Sequence, residues 1–114
     1  MSSGTYLGEF EHVVLLSVLH IGSGEVTGAE IRRVIKERAE RTVSFGSLHA
    51  TLRRLESKGL LRSEKGPPRP VQGGRAQKLF SVTADGIELL RAHQRRIDRL
   101  TEGLDVLRPG SHAP

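Results

Sequence analysis

A chain of 114 residues with no cysteine is read as a single domain in a reducing compartment, taken to be the cytoplasm, with no disulfide and no thiolate-bound metal. Hydrophobic residues make up 36% and aromatic residues only 4%, so the core must be aliphatic and would gain from further burial in a dimer. The net charge of +5 suits an anionic partner, and no apolar run approaches the ~20 residues of a membrane span or has the basic leader of a signal peptide.

Residues 1–6 are expected to be disordered. From Leu7 to Ile21 the pattern predicts a helix. Phe10, Val13, Val14, Leu16 or Ser17, Val18 and Ile21 recur at helical spacing, and Leu15 and Leu19 widen the apolar face until several sides should be buried. Gly22-Ser23-Gly24 ends it. Thr27-Gly28-Ala29-Glu30 is a capping box that opens a second helix, ending near Arg41. Ile31, Val34, Ile35 and Ala39 form its apolar face, and Arg32, Arg33, Lys36 and Arg38 populate the rest.

After the short turn Thr42-Val43, Ser44 is placed to cap a third helix that reaches about Lys58, with Gly59 just beyond its end. Phe45, Leu48, Leu52 and Leu55 make its core stripe. The opposite face carries Gly46, Ser47, Ala50, Arg53, Arg54 and Ser57, small at the start and basic further on.

Leu60 to Glu64 and Gln77 to Val82 read as the strands of a hairpin, joined by a loop rich in Pro and Gly from Lys65 to Gly74. Thr83 caps a last helix with Asp85 in its first turn. Leu90, Ile97 and Leu104 fall seven apart, and His93, Leu100 and Leu107 repeat this with an offset of three, a short heptad seam. Arg108-Pro109-Gly110 stops the helix, and residues 109–114 are expected to be a disordered tail. The fold class expected is mainly α with a small two-stranded β-wing. Residues 7–83 form a winged helix-turn-helix and residues 84–108 a C-terminal dimerisation helix.

The charge is segregated along the chain. Met1 to Ile31 holds four acids and no Lys or Arg, Arg32 to Phe80 holds thirteen Lys/Arg against four Glu, and the remainder is balanced. A concentrated basic segment is the footprint of a phosphate-binding surface. Within it, Ser44, Gly46, Ser47 and Ala50 would let a helix approach a major groove closely, while Arg53 and Arg54 would reach phosphates or guanine edges. The plain alternative is a solvated face in which these arginines pair with acids such as Glu56. The hairpin loop supplies Arg69 and Arg75, with Gly73 and Gly74 permitting close backbone approach.

Ser44 to Leu61, SFGSLHATLRRLESKGLL, resembles the recognition-helix signature of the PadR family of bacterial transcription regulators. Gly74-Arg75 through Lys78, Phe80, Val82, Thr83 and Gly86 resembles that family's wing and its L-T-x-x-G strand end, and Thr27 to Ile31 resembles its H-G-Y-E-I. The likeness runs from about Leu7 to Leu90. It implies a dimeric repressor on a palindromic operator, with Lys78 and the third helix on DNA and Leu90, Ile97, Leu100, Leu104 and Leu107 joining the subunits, helped by the first helix. The single last helix resembles the smaller subfamily. His49 stands where the family has Tyr, Ala29 where it has another Tyr, and Leu79 where it has an aromatic. His49 is carried as a DNA-facing candidate, with packing against the wing as the plainer role. The aromatic-drug site of some relatives needs a tryptophan, and this chain has none.

An enzyme is not expected. No cysteine is present, His12, His20, His49, His93 and His112 lack metal-ligand spacing, and Glu9 and Glu11 diverge on a helix. A winged helix used for RNA or protein contacts is a third reading, against which stand the basic middle and the scarcity of aromatics. The expected partners are double-stranded DNA, a second copy of the chain and an unidentified small-molecule effector, with no cofactor and no membrane.

Overall fold

The computed structural model describes residues 6–23, 26–68 and 76–110. Along the chain lie α1 (Glu9–Ile21), α2 (Gly28–Ala39), α3 (Phe45–Ser57), β1 (Leu61–Pro68), β2 (Ala76–Val82), α4 (Ala84–Thr101) and a 3₁₀ turn (Asp105–Leu107). Three helices, an antiparallel hairpin and a last helix are the order expected for a winged helix-turn-helix.

Local chemistry starts three of the helices. Thr27 Oγ1 accepts from the Glu30 N–H at 3.2 Å, Ser44 Oγ from the Ser47 N–H at 3.1 Å and Thr83 Oγ1 from the Gly86 N–H at 3.0 Å. Each satisfies an amide that the helix itself leaves unbonded. α3 stops where Gly59 takes φ +75°, a conformation that costs glycine nothing. The Leu60 N–H then closes onto the Leu55 carbonyl at 3.0 Å, sending the chain straight into β1.

The core is aliphatic, as the composition required. Val14, Leu15 and Val18 of α1 meet Ile31 and Ile35 of α2 and Leu48, Leu52 and Leu55 of α3, with Val26, Leu60, Leu61, Phe80 and Leu90 closing the sides. The hairpin pairs Leu61 with Val82, Ser63 with Phe80 and Lys65 with Lys78. β2 also reaches the other side of the fold: the Phe80 N–H donates to the Val26 carbonyl at 2.9 Å. Thr83 docks α4 by donating its hydroxyl to the Gly59 carbonyl at 2.7 Å. Gly86 lies so close to Leu60 that an added Cβ would stand 2.4 Å from its carbonyl oxygen.

Five sequence expectations are corrected. β1 continues to Pro68, where a loop was expected from Lys65. The pairing slips between Lys65 and Pro68, and such a bulge accommodates Gly and Pro in an edge strand. Phe45 leaves the expected core stripe and is 47% exposed, because it sits at the first position of α3, beyond the packed layer. α1 is not buried on several sides: Leu16 and Leu19 are exposed, since no element among the described residues covers that face. α4 ends at Thr101 instead of near Arg108, because Glu102 is extended and Gly103 takes φ +81°. Finally, Leu90 is 6% exposed and belongs to the chain's own core, so its expected place in a dimer seam is lost.

Candidate nucleic-acid interface

α3 has a buried edge (Leu48, Thr51, Leu52, Leu55) and an outward face on which Gly46, Ser47, Ala50 and Arg53 are exposed. A Cβ placed on Gly46 would meet nothing within 4 Å, so nothing in the described chain stands over the start of this helix. A groove wall could approach it directly. Ser44 Oγ accepts the cap bond from the Ser47 N–H, which leaves its hydroxyl proton free to donate.

The two arginines of α3 differ. Among the described residues Arg53 makes no ion pair, and it is exposed. Arg54 turns toward α1: its Nε lies 3.4 Å from Glu11 Oε2, and a terminal nitrogen donates to Thr51 Oγ1 at 3.1 Å. Lys58 donates to both oxygens of the same carboxylate at 2.8 and 3.0 Å. The expected alternative partner, Glu56, is occupied elsewhere. It accepts from the Ser63 hydroxyl at 2.6 Å and lies 3.7 Å from Lys78 Nζ. Burial opposes ionisation of Glu11, yet Lys58, the Gly8 N–H and Arg54 outweigh it and hold the carboxyl below its ordinary value. Glu11 therefore straps the start of α1 to the end of α3 and fixes α3 against the core.

Among the described residues, the aromatic neighbour of His49 is Phe45, the two rings lying 6.1 Å apart with their planes at 24°. Phe45 in turn carries the Arg32 guanidinium 4.0 Å over its centroid. Sequence reasoning passed over both Arg32 and Phe45. The only signal was an aromatic residue placed directly after a helix cap, where few core contacts reach.

On the hairpin, Lys65 and Lys78 are directly paired across the strands, and both are exposed. Like charges so placed repel each other and favour an anion between or above them. Arg69 and Arg75 lie outside the described residues. Ile97 and Leu100 are exposed on α4, whereas Leu104 and Leu107 follow its end and lie off the helical seam. His93 meets His12 of α1 edge-on, with ring centroids 4.3 Å apart. Burial and then the nearby His93 lower the His12 pKa.

The model of the Transcriptional regulator PadR-like family matches residues 15–92, which span α1 to the middle of α4. The chain belongs to the PadR-like family of transcriptional regulators. It is 36% identical over 106 residues to the transcriptional regulator Rv3488 of Mycobacterium tuberculosis, covering 91% of this chain and 92% of that protein. Its fold is similar to that of a PadR-like transcriptional regulator from Bacillus cereus (TM-score 0.64, 20% identity, 90% and 93% of the two chains). It is also similar to a winged-helix DNA-binding protein from STIV (TM-score 0.66, 18% identity, 87% and 98%). The PadR-like chain is thus a transcriptional regulator with a winged-helix fold and not an enzyme. No helix among its described residues is long and apolar enough to cross a membrane.

Proposed function

We propose that this PadR-like regulator is a homodimeric bacterial repressor acting in the cytoplasm, which sets two α3 helices into successive major grooves of a palindromic operator. The outward face of α3 carries this reading: Gly46, Ser47 and Ala50 leave the helix start open, and Arg53 projects beside them without an acidic partner among the described residues. A helix that serves only as scaffold has no reason to leave that surface small and its cation unpaired.

Ser44, His49 and Arg54 flank this face, and Lys78 extends it to the hairpin, where Arg69 and Arg75 would hold the backbone. Dimerisation follows from unspent apolar surface. Ile97 and Leu100 of α4 stand in solvent, and Leu104 and Leu107 are exposed beyond its end. α1 adds the exposed Leu19 and Leu16, and Leu16 lines a groove of about 160 Å³ with Val13, Val34 and His20. Two copies joined this way would hold two reading helices at fixed spacing, and an effector would act by changing that spacing.

The test is selection of bound fragments from a bacterial genomic DNA pool, followed by titration of the selected duplex across a salt series. The expected result is an inverted-repeat site, two chains per duplex and affinity that falls steeply with salt. Recovery of no common site, or binding indifferent to salt, overturns the reading.

A further inference from the structure

Where α2 turns into α3, the fold holds one arginine in place without giving it an anion. Arg32 Nε donates to the Val43 carbonyl oxygen at 2.9 Å. Its guanidinium lies 4.0 Å over the Phe45 ring, and His49 lies alongside that ring. Phe45 contributes nothing to the buried core, so its place is better explained as a platform than as packing. Together with Ala29, Arg33, Lys36, Thr42 and Val43, Arg32 lines a solvent-open cleft of about 260 Å³ beside the start of α3.

The adjacent residue supplies the contrast. Arg33 is forked between Glu30 at 2.8 Å and Glu37 at 2.9 Å, and these carboxylates raise its pKa. Among the described residues no carboxylate lies within salt-bridge distance of Arg32. One arginine is thus neutralised and its neighbour is immobilised with its charge uncompensated. Immobilising a long side chain costs rotamer entropy, and Val43 and Phe45 have already imposed that restriction before any ligand arrives. The terminal nitrogens that remain form the fork that suits two oxygens of a phosphate.

We propose that Arg32 is a preorganised clamp for one phosphodiester of the DNA backbone, and that Phe45 is the residue that positions it. The proposal rests on the DNA-binding reading above. It adds a contact from α2, outside α3 and the wing, that fixes how deeply α3 is seated.

The probe is the duplex selected by the wild-type protein, titrated at several salt concentrations against R32Q, F45L, the R32Q/F45L double variant and R33Q. R32Q is expected to weaken binding about tenfold and to lower the salt slope by about 0.9 for each subunit on the duplex. F45L removes no charge, and Phe45 is exposed, so the fold is unaffected; it should still weaken binding several-fold. The double variant should lose little more than R32Q alone, because the platform acts only through the arginine. R33Q, which removes the same charge one residue away, should change the slope less. An unchanged slope in R32Q, equal slopes in R32Q and R33Q, or additive losses in the double variant would overturn the clamp while DNA binding stands. Should R32Q fail to fold, F45L carries the test, and unaltered affinity in F45L overturns the proposal. A wild-type chain that binds no duplex overturns both readings.

Discussion

In the first two turns of α4, Gly86 lies against the Leu60 carbonyl and Leu90 fills the core; in its last two turns, Ile97 is 40% and Leu100 73% exposed. One helix thus begins inside the domain and ends outside it. Its apolar residues repeat at the same spacing throughout, so periodicity alone does not say what covers them. What decides the matter is which neighbours the chain itself can bring. The core built by α1, α3 and the hairpin takes in Leu90 of the first half; beyond it His12 meets His93 and the Tyr6 ring lies 5.9 Å from the Arg96 guanidinium, while Ile97 and Leu100 stay in solvent. Ile97 and Leu100 therefore remain available to a partner.

The comparison breaks most sharply in the core. Leu52→Ala removes a side chain that is 1% exposed and should cost about 2–5 kcal/mol, seen as a lower denaturant midpoint at unchanged slope. Leu100→Ala deletes the same atoms from the distal half and should change monomer stability by less than about 0.5 kcal/mol. Equal losses would mean that the distal half is packed after all.

Gly86 comes next. Gly86→Ala drives a Cβ to within 2.4 Å of the Leu60 oxygen and 2.7 Å of Val82 Cγ1, neither of which has an easy retreat. The expected cost is about 1–3 kcal/mol, read by thermal or chemical unfolding. Gly46→Ala is the matched control, with open space around the new methyl. It should leave the fold as stable as before, or more so, while weakening operator binding, because the same open space is what a groove wall would occupy.

The strap between α1 and α3 gives a smaller effect with a pH signature. Glu11 is held below its ordinary pKa in the fold, so its contribution is full above the ordinary carboxylate range and is lost as pH falls through the folded value. Glu11→Gln should cost about 1–2 kcal/mol at neutral pH. It should also flatten the acid side of the stability profile, measured by urea unfolding between pH 7 and 3. His12 acts in a higher window. Its folded pKa is lowered, so below the ordinary histidine range the unfolded chain takes up that proton first, and stability falls there too. A Glu11→Gln profile parallel to wild type would show the strap to be idle.

What was legible in the sequence divides along similar lines. The caps at Thr27, Ser44 and Thr83, the terminating Gly59 and the aliphatic stripes are local signals, and a few neighbouring residues suffice to read them. Three motifs in order were enough to suggest the family. The outward face of α3 was legible because helical geometry alone separates it from Leu48, Leu52 and Leu55. Hidden were the features set by distant partners. Glu11 was weighed only against Glu9, from which it diverges on the helix, since its partner Lys58 lies 47 residues away. The tie of Arg54 to Glu11 was hidden for the same reason. Phe45 fitted the core stripe by spacing, and only the path of the α2–α3 turn leaves it outside with Arg32 on its face. The early end of α4 was half visible: Gly103 marked a weak point, but not that the helix would already have ended at Thr101.

The smallest expected effect on folding belongs to the distal half itself, and there it separates stability from assembly. Ile97→Asp combined with Leu100→Asp places two charges where the isolated chain has solvent, so unfolding of dilute protein should shift by less than about 0.5 kcal/mol. If α4 joins two subunits, the same pair buries unpaired carboxylates in an apolar seam, which no short helix would tolerate. Sedimentation should then show a folded monomer. Operator affinity should drop by orders of magnitude, because two half-sites no longer act through one molecule. A variant that stays dimeric places the subunit contact elsewhere, with the exposed Leu16 and Leu19 of α1 as the next surface to alter. A variant that unfolds would show that the distal half is needed by the domain, and the contrast between the two halves of α4 would fail with it.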